Sequence, residues 1–188
     1  MLNEDRKGRA PKVKDRWYGR HEYRHTRDFS PRVLKVEPPF TFDQLYISPM
    51  TVRRCYGDNG KARYEPVERN LQPTGFVIMD DYLNMLASGR LDLSSFCARY
   101  GIRLNDLDSL IFIFTGMRGI DFRYAFQLRM ADELLRFTDM PVAEVARRCG
   151  YGSRVNFYFA LQRDLRTSPT ARRMQLREEG DVGRYKLE

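Results

Sequence analysis

The chain has 188 residues, of which 42% are hydrophobic and 13% aromatic, and its formal net charge at pH 7 is +8. These values predict a globular domain with an extension. No apolar run approaches the roughly 20 residues that a membrane-spanning helix needs, and no hydrophobic stretch follows the charged first residues as it would in a secretory signal. We therefore expect a cytoplasmic protein whose widely spaced cysteines, Cys55, Cys97 and Cys149, are reduced thiols.

The positive charge is concentrated in two segments. Residues 1–36 contain 11 Lys or Arg against 5 Asp or Glu, and residues 147–177 contain 8 against 1. Such segments favour an anionic partner, although basic charge also serves solubility or attraction to membranes. We expect no membrane partner.

Residues 1–39 are predicted to form an extended basic arm. Prolines interrupt the arm, and aromatic residues alternate with basic ones between Arg16 and His25. Such a segment either lies along phosphates and stacks on bases or has no role, and the sequence leaves both open. His21 and His25 lie four residues apart, but no acidic or thiol side chain stands at a matching offset, so we expect no metal site.

Residues 40–75 are predicted to be an irregular extension containing a small β-hairpin. The strands are predicted at Met50–Tyr56 and Ala62–Val67, around the turn sequence Gly57–Gly60, in which Asn59 and the glycines tolerate positive φ. A two-stranded hairpin is only marginally stable in water, so we expect this one to pack on the rest of the chain.

From Gly75 onward the spacing of apolar residues predicts helices. Asp92 is predicted to cap the second of them, and Ser168 the last, with Pro169 in the first helical position. The predicted helices cover about residues 76–89, 93–100, 104–114, 120–137, 142–149 and 153–165, and a seventh starts at residue 169. This helical domain is expected to span residues 76–178, and residues 179–188 are expected to be a tail.

The stretch Asp139–Arg173 has the outline of a helix-turn-helix, because one apolar-periodic segment ends at Gly150 and a second begins at Ser153. In such a pair the second helix enters the DNA major groove. The stretch resembles the second helix-turn-helix of AraC/XylS-family transcription regulators. The matching residues are Val142, Ala143, Glu144, Val145, Ala146, Gly150, Tyr151, Phe157, Leu161, Ser168, Pro169 and Arg173.

An internal repeat extends the resemblance. Leu93–Gly116 resembles the first helix-turn-helix of the same family, and Phe122–Leu135 resembles the linker helix, so that Gly101 and Gly150 are the equivalent turn glycines. The resemblance implies a mainly α fold, a seven-helix double helix-turn-helix bundle with a long linker helix. It further implies a transcription regulator that binds double-stranded DNA and needs no cofactor. It does not cover residues 1–75, which are too few for the ligand-sensing domain that many members carry.

The second unit supplies most of the predicted DNA contacts. Phe157 and Leu161 are expected to anchor its recognition helix. Arg154 is the best candidate for reading a base, since a guanidinium group can bond guanine O6 and N7, whereas the arginines beyond it suit phosphates. The predicted DNA-binding residues are Ser153, Arg154, Val155, Asn156, Tyr158, Phe159, Gln162, Arg163, Arg172 and Arg173 and, in the first unit, Asn105 and Ser109.

Several positions depart from the family pattern. Phe159 stands where a polar residue is common, Arg166 where glycine is usual, and Gly152 where serine usually caps the recognition helix. In the first unit, Asp106 and Asp108 replace residues that favour DNA, and their carboxylates would repel a phosphate backbone.

These departures motivate an alternative function, a protein–protein adaptor derived from such a regulator. The run Ile111–Phe114 is too apolar for one core face, so we expect either cover by residues 40–70, which we prefer, or a protein partner at the Asp106–Phe114 surface. An enzyme is not expected, because the chain has no glycine-rich phosphate loop and no nucleophile elbow.

Overall fold

The structure, a computed structural model, describes residues 36–69 and 71–187. Every described element belongs to the compact unit Val36–Glu188. The predictions made for residues 1–35, including the basic arm, its aromatic residues and the two histidines, lie outside the described residues. The helices are α1 (Phe42–Leu45), α2 (Val77–Ala87), α3 (Leu93–Tyr100), α4 (Leu104–Thr115), α5 (Gly119–Phe137), α6 (Val142–Arg148), α7 (Arg154–Leu165) and α8 (Pro169–Leu176), and the strands are β1 (Val52–Tyr56), β2 (Ala62–Pro66) and β3 (Tyr185–Lys186).

The seven predicted helices are confirmed as α2 to α8. The predicted caps are also confirmed, since the Asp92 side chain accepts from the Ser95 amide and the Ser168 side chain accepts from the Ala171 amide. The structure adds α1, which is four residues long and too short for apolar periodicity to reveal. Its signal is the capping box formed by Thr41 and Gln44.

The long helix α5 forms the centre of the core. Phe122, Phe126, Met130 and Leu134 recur every four residues along one face of α5, and all four are buried. This helix packs against α2, against α4 of the first helix-turn-helix unit, against α6 of the second and against α8. The linker helix therefore holds both units on one scaffold.

The predicted hairpin forms and gains a third strand. Strands β1 and β2 pair antiparallel from Val52 opposite Pro66 to Tyr56 opposite Ala62. Strand β3, which was not predicted from the sequence, pairs with the other edge of β1. Tyr185 of β3 packs against Phe137 with ring centroids 4.5 Å apart. Strand β3 thus connects the hairpin to the end of α5. This agrees with the expectation that the hairpin, which is only marginally stable alone, packs on the rest of the chain.

Residues before the hairpin cover part of the apolar run in α4. The Phe40 amide donates to the Phe114 carbonyl over 3.1 Å, and the two rings lie 6.3 Å apart. Phe42 packs on Phe122 at 5.5 Å. Phe40 therefore helps to cover Phe114. Ile113 remains 54% exposed, so the predicted cover by residues 40–70 does not extend to the whole apolar run.

Candidate nucleic-acid interface

The second helix-turn-helix has a tight turn that the backbone closes with its own hydrogen bonds. After α6, Gly150 takes a left-handed conformation with φ of 76°. The Tyr151 amide donates to the Ala146 carbonyl over 2.9 Å, so the last turn of α6 is satisfied as the chain reverses. Ser153 then caps α7, and its hydroxyl oxygen accepts from the Asn156 amide over 3.1 Å. The prediction that Gly152 takes the cap position is wrong by one residue, and the serine cap is present.

The first unit repeats this turn. Gly101 is left-handed with φ of 64°, and the Ile102 amide donates to the Cys97 carbonyl over 3.0 Å. This bond spans five residues, as does the bond between Tyr151 and Ala146. The two glycines therefore end α3 and α6 in the same way, which confirms the internal repeat at the level of backbone geometry.

Helix α7 has one buried face and one open face. Phe157 and Leu161 are buried, and the Tyr151 ring packs on Phe157 at 4.7 Å, so both predicted anchors are confirmed. The side chains on the opposite side are not packed in the core, so a partner can contact them. The exposed predicted contacts on α7 and its cap are Ser153, Arg154, Val155, Asn156, Tyr158, Phe159 and Arg163, and Gln162 is half-buried.

The side chain of Asn156 already supports the turn. Its Nδ2 donates to the Tyr151 carbonyl over 3.2 Å. Bidentate reading of adenine needs both ends of the amide, so Asn156 would have to release Tyr151 to read a base in that way.

Most of the arginines in residues 147–177 have partners within the protein. Arg147 and Arg148 both pair with Glu144. Arg163 forms a two-bond pair with Asp164, at 2.6 and 2.7 Å, and lies over the Tyr124 ring. The basic character of this segment is therefore smaller at the surface than its charge count suggests.

Two of the predicted phosphate contacts form hydrogen bonds within the protein. Arg172 makes a two-bond pair with Asp132 of α5, with Nε to Oδ1 at 2.9 Å, and its side chain is 25% exposed. Arg173 donates to the Met140 carbonyl, and burial lowers its pKa from the ordinary arginine value. Both guanidinium groups brace α8 against the rest of the helical domain, so a DNA contact by Arg172 or Arg173 would have to replace these interactions, and it stays a prediction. Arg177 braces α8 in the same way by donating to the Leu135 carbonyl over 3.2 Å.

Two arginines of this segment have no partner among the described residues, Arg154 and Arg166. Arg154 is the first residue of α7, and Arg166 is its C-cap. Arg166 has φ of 54° and is the one non-glycine residue with positive φ in the described part of the chain. The left-handed conformation explains why glycine suits this position. The unpaired guanidinium groups thus mark the two ends of α7.

The carboxylates of the first unit are engaged at helix N-termini. Asp106 Oδ2 accepts from the Arg103 amide over 2.9 Å at the start of α4. Asp108 packs on the first turn of α5, so closely that a Cβ added to Gly119 would overlap Oδ1. Negative charge is favourable at both places. Asp106 is nevertheless exposed, so the expectation that these carboxylates would repel a phosphate backbone stays a prediction.

Of the first-unit contacts predicted, Asn105 is exposed and Ser109 is half-buried on α4. The Ser109 hydroxyl donates to the Asn105 carbonyl over 2.8 Å, within the helix. Both residues lie away from the buried face of α4, which contains Leu107 and Ile111.

The loop between α2 and α3 touches the second helix-turn-helix directly, at a contact that was not predicted from the sequence. A Cβ on Gly150 would lie 2.5 Å from Leu91 Cδ1, and a Cβ on Gly89 would overlap the Arg148 carbonyl oxygen. The turn after α2 therefore packs directly on the turn after α6. Gln127, a buried polar residue within the apolar face of α5, donates to Cys149 in the same region. A polar residue within that apolar face was the sequence signal that could have predicted this contact.

The described residues contain no group of three or more His, Cys, Asp or Glu side chains arranged to hold a metal ion. Across residues 36–69 and 71–187, no helix combines the length and apolarity needed to span a bilayer.

Three solved structures align with part of the chain. The C-terminal domain of AraT, a response regulator from Geobacillus stearothermophilus, is 24% identical, with a TM-score of 0.45 over 52% of this chain and 80% of that domain. The DNA-binding domain of AdpA, a global transcriptional factor in complex with a target DNA, is 28% identical, with a TM-score of 0.44 over 52% of this chain and 87% of that domain. The xylose-binding transcription activator xylR is 20% identical, with a TM-score of 0.43 over 62% of this chain and 32% of xylR.

No family model matches the sequence, and a search of curated proteins finds no match. TM-scores this low carry no conclusion about function, which has to come from the helices and charges of the chain itself.

Proposed function

We propose that this chain binds double-stranded DNA and regulates transcription, with α7 in the major groove. One observation supports this above the others. The second helix of a helix-turn-helix is anchored through Phe157 and Leu161, presents its opposite face to solvent, and has an unpaired arginine at each end. A groove-binding helix requires an open face with cations that reach phosphates or bases.

The roles along α7 follow from position. The N-terminal residues of a recognition helix contact base edges, so Arg154 reads a base, with guanine O6 and N7 as the best match for its guanidinium group. Arg166, about 18 Å further along the helix axis at 1.5 Å per residue, neutralises a phosphate. Ser153 and Tyr158 place hydroxyl groups at the same surface and suit phosphate oxygens.

Arg163 contacts a phosphate only if it releases Asp164. Its pair with Asp164 is solvent-exposed on both sides, with side chains 41% and 42% exposed. Exposed ion pairs contribute little to stability, so exchange of Asp164 for a phosphate costs little. Arg172, whose pair with Asp132 is half-buried, is not free to make this exchange.

The first unit contributes a second, weaker contact through α4. Asn105 and Ser109 lie on the outer side of a helix that occupies the same place in its unit as α7 does in the second. One chain then carries two readers, which suits an asymmetric DNA site bound by a monomer.

A second candidate function rests on Ile113. This side chain stays 54% exposed on α4, and an exposed aliphatic residue beside Phe112 suits a protein partner. Under this adaptor function, Ile113→Ser would abolish capture of the partner and leave DNA affinity unchanged.

The proposed DNA function is tested by selection from a pool of random-sequence duplexes, using the full chain. We expect enrichment of a common sequence, and Arg154→Ala should weaken binding to it by about 1–3 kcal/mol. Lys61→Ala is the matched control, because it removes the same charge from the hairpin, and it should leave affinity nearly unchanged. If no duplex binds at low salt, the proposal is wrong.

A further inference from the structure

The centre of the open face of α7 is apolar. Val155 is 61% exposed and Phe159, one helical turn later, is 64% exposed. Residues four apart lie side by side on one helix face, so the two side chains form a continuous patch. The Tyr158 ring lies beside Phe159, with centroids 5.8 Å apart. A helix that reads DNA through hydrogen bonds alone would not present this surface.

The charges around the patch indicate what covers it. Arg154 precedes Val155, and Arg166 follows the end of α7. A partner that matches this surface therefore offers anionic or hydrogen-bond acceptor groups at both ends of α7 and an apolar group between them. The major groove of DNA has this arrangement where it contains thymine, because phosphates line both walls and the thymine 5-methyl group projects from the floor.

Val155 and Phe159 can neither donate nor accept a hydrogen bond. Opposite adenine, guanine or cytosine, they would take the base-edge donors and acceptors away from water without replacing those hydrogen bonds, which is unfavourable. Thymine is the one base that offers an apolar group in the major groove. The chemistry of the patch therefore selects thymine over the other three bases.

We propose that Val155 and Phe159 read thymine methyl groups, so that the DNA sequence recognised by α7 contains thymine opposite these two residues. This inference rests on the proposed DNA function and specifies its sequence preference. Gln162, three residues after Phe159 and on the same side of α7, places an amide next to the patch. A glutamine amide pairs with adenine N6 and N7, so it reads the partner base of such a thymine.

The test uses duplexes enriched from the random pool by the full chain. Each thymine is replaced in turn by deoxyuridine, which removes the 5-methyl group and preserves base pairing. We expect replacement at one or two adjacent positions to weaken binding by about fourfold for each methyl group, the value for burial of one such group. Replacement elsewhere in the same duplex should have no effect and serves as the control.

The protein variants assign the effect to residues. In Phe159→Ala the sensitivity to deoxyuridine should disappear at one position, and in Val155→Ala at the other, while Arg154→Ala should bind more weakly and keep both sensitivities. Both side chains are exposed, so neither truncation should unfold the chain.

Two results would overturn the inference in different ways. If enriched duplexes bind and depend on Arg154, but no deoxyuridine replacement matters, methyl reading is wrong and the DNA function stands. The same conclusion applies if Phe159→Ala and Val155→Ala leave the deoxyuridine effect intact. If no duplex is enriched, both proposals fail, and the patch then belongs to a protein interface.

Discussion

The side-chain amide of Gln127 donates a 2.8 Å hydrogen bond to the carbonyl oxygen of Cys149, and both residues are buried. Gln127 belongs to the linker helix α5, and Cys149 is the C-cap of α6, directly before the turn of the second helix-turn-helix. The bond therefore fixes the turn, and with it the start of α7, against the helix that joins the two units.

Replacement of Gln127 by leucine should destabilise the protein by about 1–3 kcal/mol, because the buried Cys149 carbonyl loses this partner without access to water. The free energy of unfolding in urea measures the effect. Gln175→Leu, at an exposed position of α8, is the control and should change stability by no more than about 0.5 kcal/mol. Equal destabilisation in the two variants would contradict the role assigned to Gln127.

The two turn glycines should differ in their tolerance of alanine. Both have positive φ, so each substitution introduces strain of about 1–2 kcal/mol. A Cβ on Gly150 would also lie 2.5 Å from Leu91 Cδ1, whereas nothing lies within 4 Å of a Cβ on Gly101. Gly150→Ala should therefore destabilise the protein by about 1–3 kcal/mol more than Gly101→Ala, as overpacking does. Thermal unfolding of both variants tests this, and equal shifts in Tm would show that the units do not pack through Leu91.

Arg166 should show opposite effects on stability and on DNA binding. Arg166→Gly relieves the strain of a left-handed arginine and should stabilise the protein by about 0.5–1 kcal/mol, after allowance for the greater freedom of glycine in the unfolded chain. The same change removes a cation that neutralises phosphate and should weaken DNA binding. Arg166→Ala keeps the strain and removes the charge, so it should weaken DNA binding equally without the gain in stability. Wild-type DNA affinity in both variants would show that Arg166 does not contact DNA.

Glu133 should make the protein less stable as pH rises. Burial raises the pKa of Glu133, although a 2.6 Å hydrogen bond from the Ser48 hydroxyl and the charge of Arg129 oppose this effect. With a raised pKa in the folded state, the contribution of Glu133 is fully present below the ordinary carboxyl pKa of about 4.3. It is lost as pH rises through the raised value.

Glu133→Gln should abolish this part of the pH dependence. Glutamine stays neutral, and its carbonyl oxygen can still accept from Ser48. The measurement is the free energy of unfolding from about pH 4 to pH 8, with the exposed Glu179→Gln as the control. An unchanged pH slope in Glu133→Gln would show that Glu133 does not titrate as burial predicts.

The helices could be predicted from the sequence because their signals are local. Apolar spacing and caps such as Asp92 and Ser168 place the starts of α3 and α8 where the structure has them. The cap of α7 was misplaced by one residue, since Gly152 and Ser153 are both acceptable caps and helix ends vary by about a residue. Strand β3 could not be predicted, because two residues carry no pattern and its existence depends on pairing with β1, far away in the chain.

The candidate site was harder to predict than the fold. The charge count treats all eight arginines of residues 147–177 alike, but pairing between distant residues separates them. Arg172 meets Asp132, 40 residues earlier, and Arg173 meets the Met140 carbonyl. No local pattern reveals these interactions. The orientation of α7 was predictable, because Phe157 and Leu161 define its buried face by their spacing.

The most direct test of the DNA function compares the salt dependence of binding in three proteins. On an enriched duplex, log K should fall linearly with log salt concentration. The double variant Arg154→Ala/Arg166→Ala should bind more weakly because it loses the base contact of Arg154. Its slope should be shallower by about 1, because Arg166 no longer neutralises a phosphate, and Lys61→Ala should retain the wild-type slope. If the double variant kept wild-type affinity and slope, α7 would not be the DNA-binding helix.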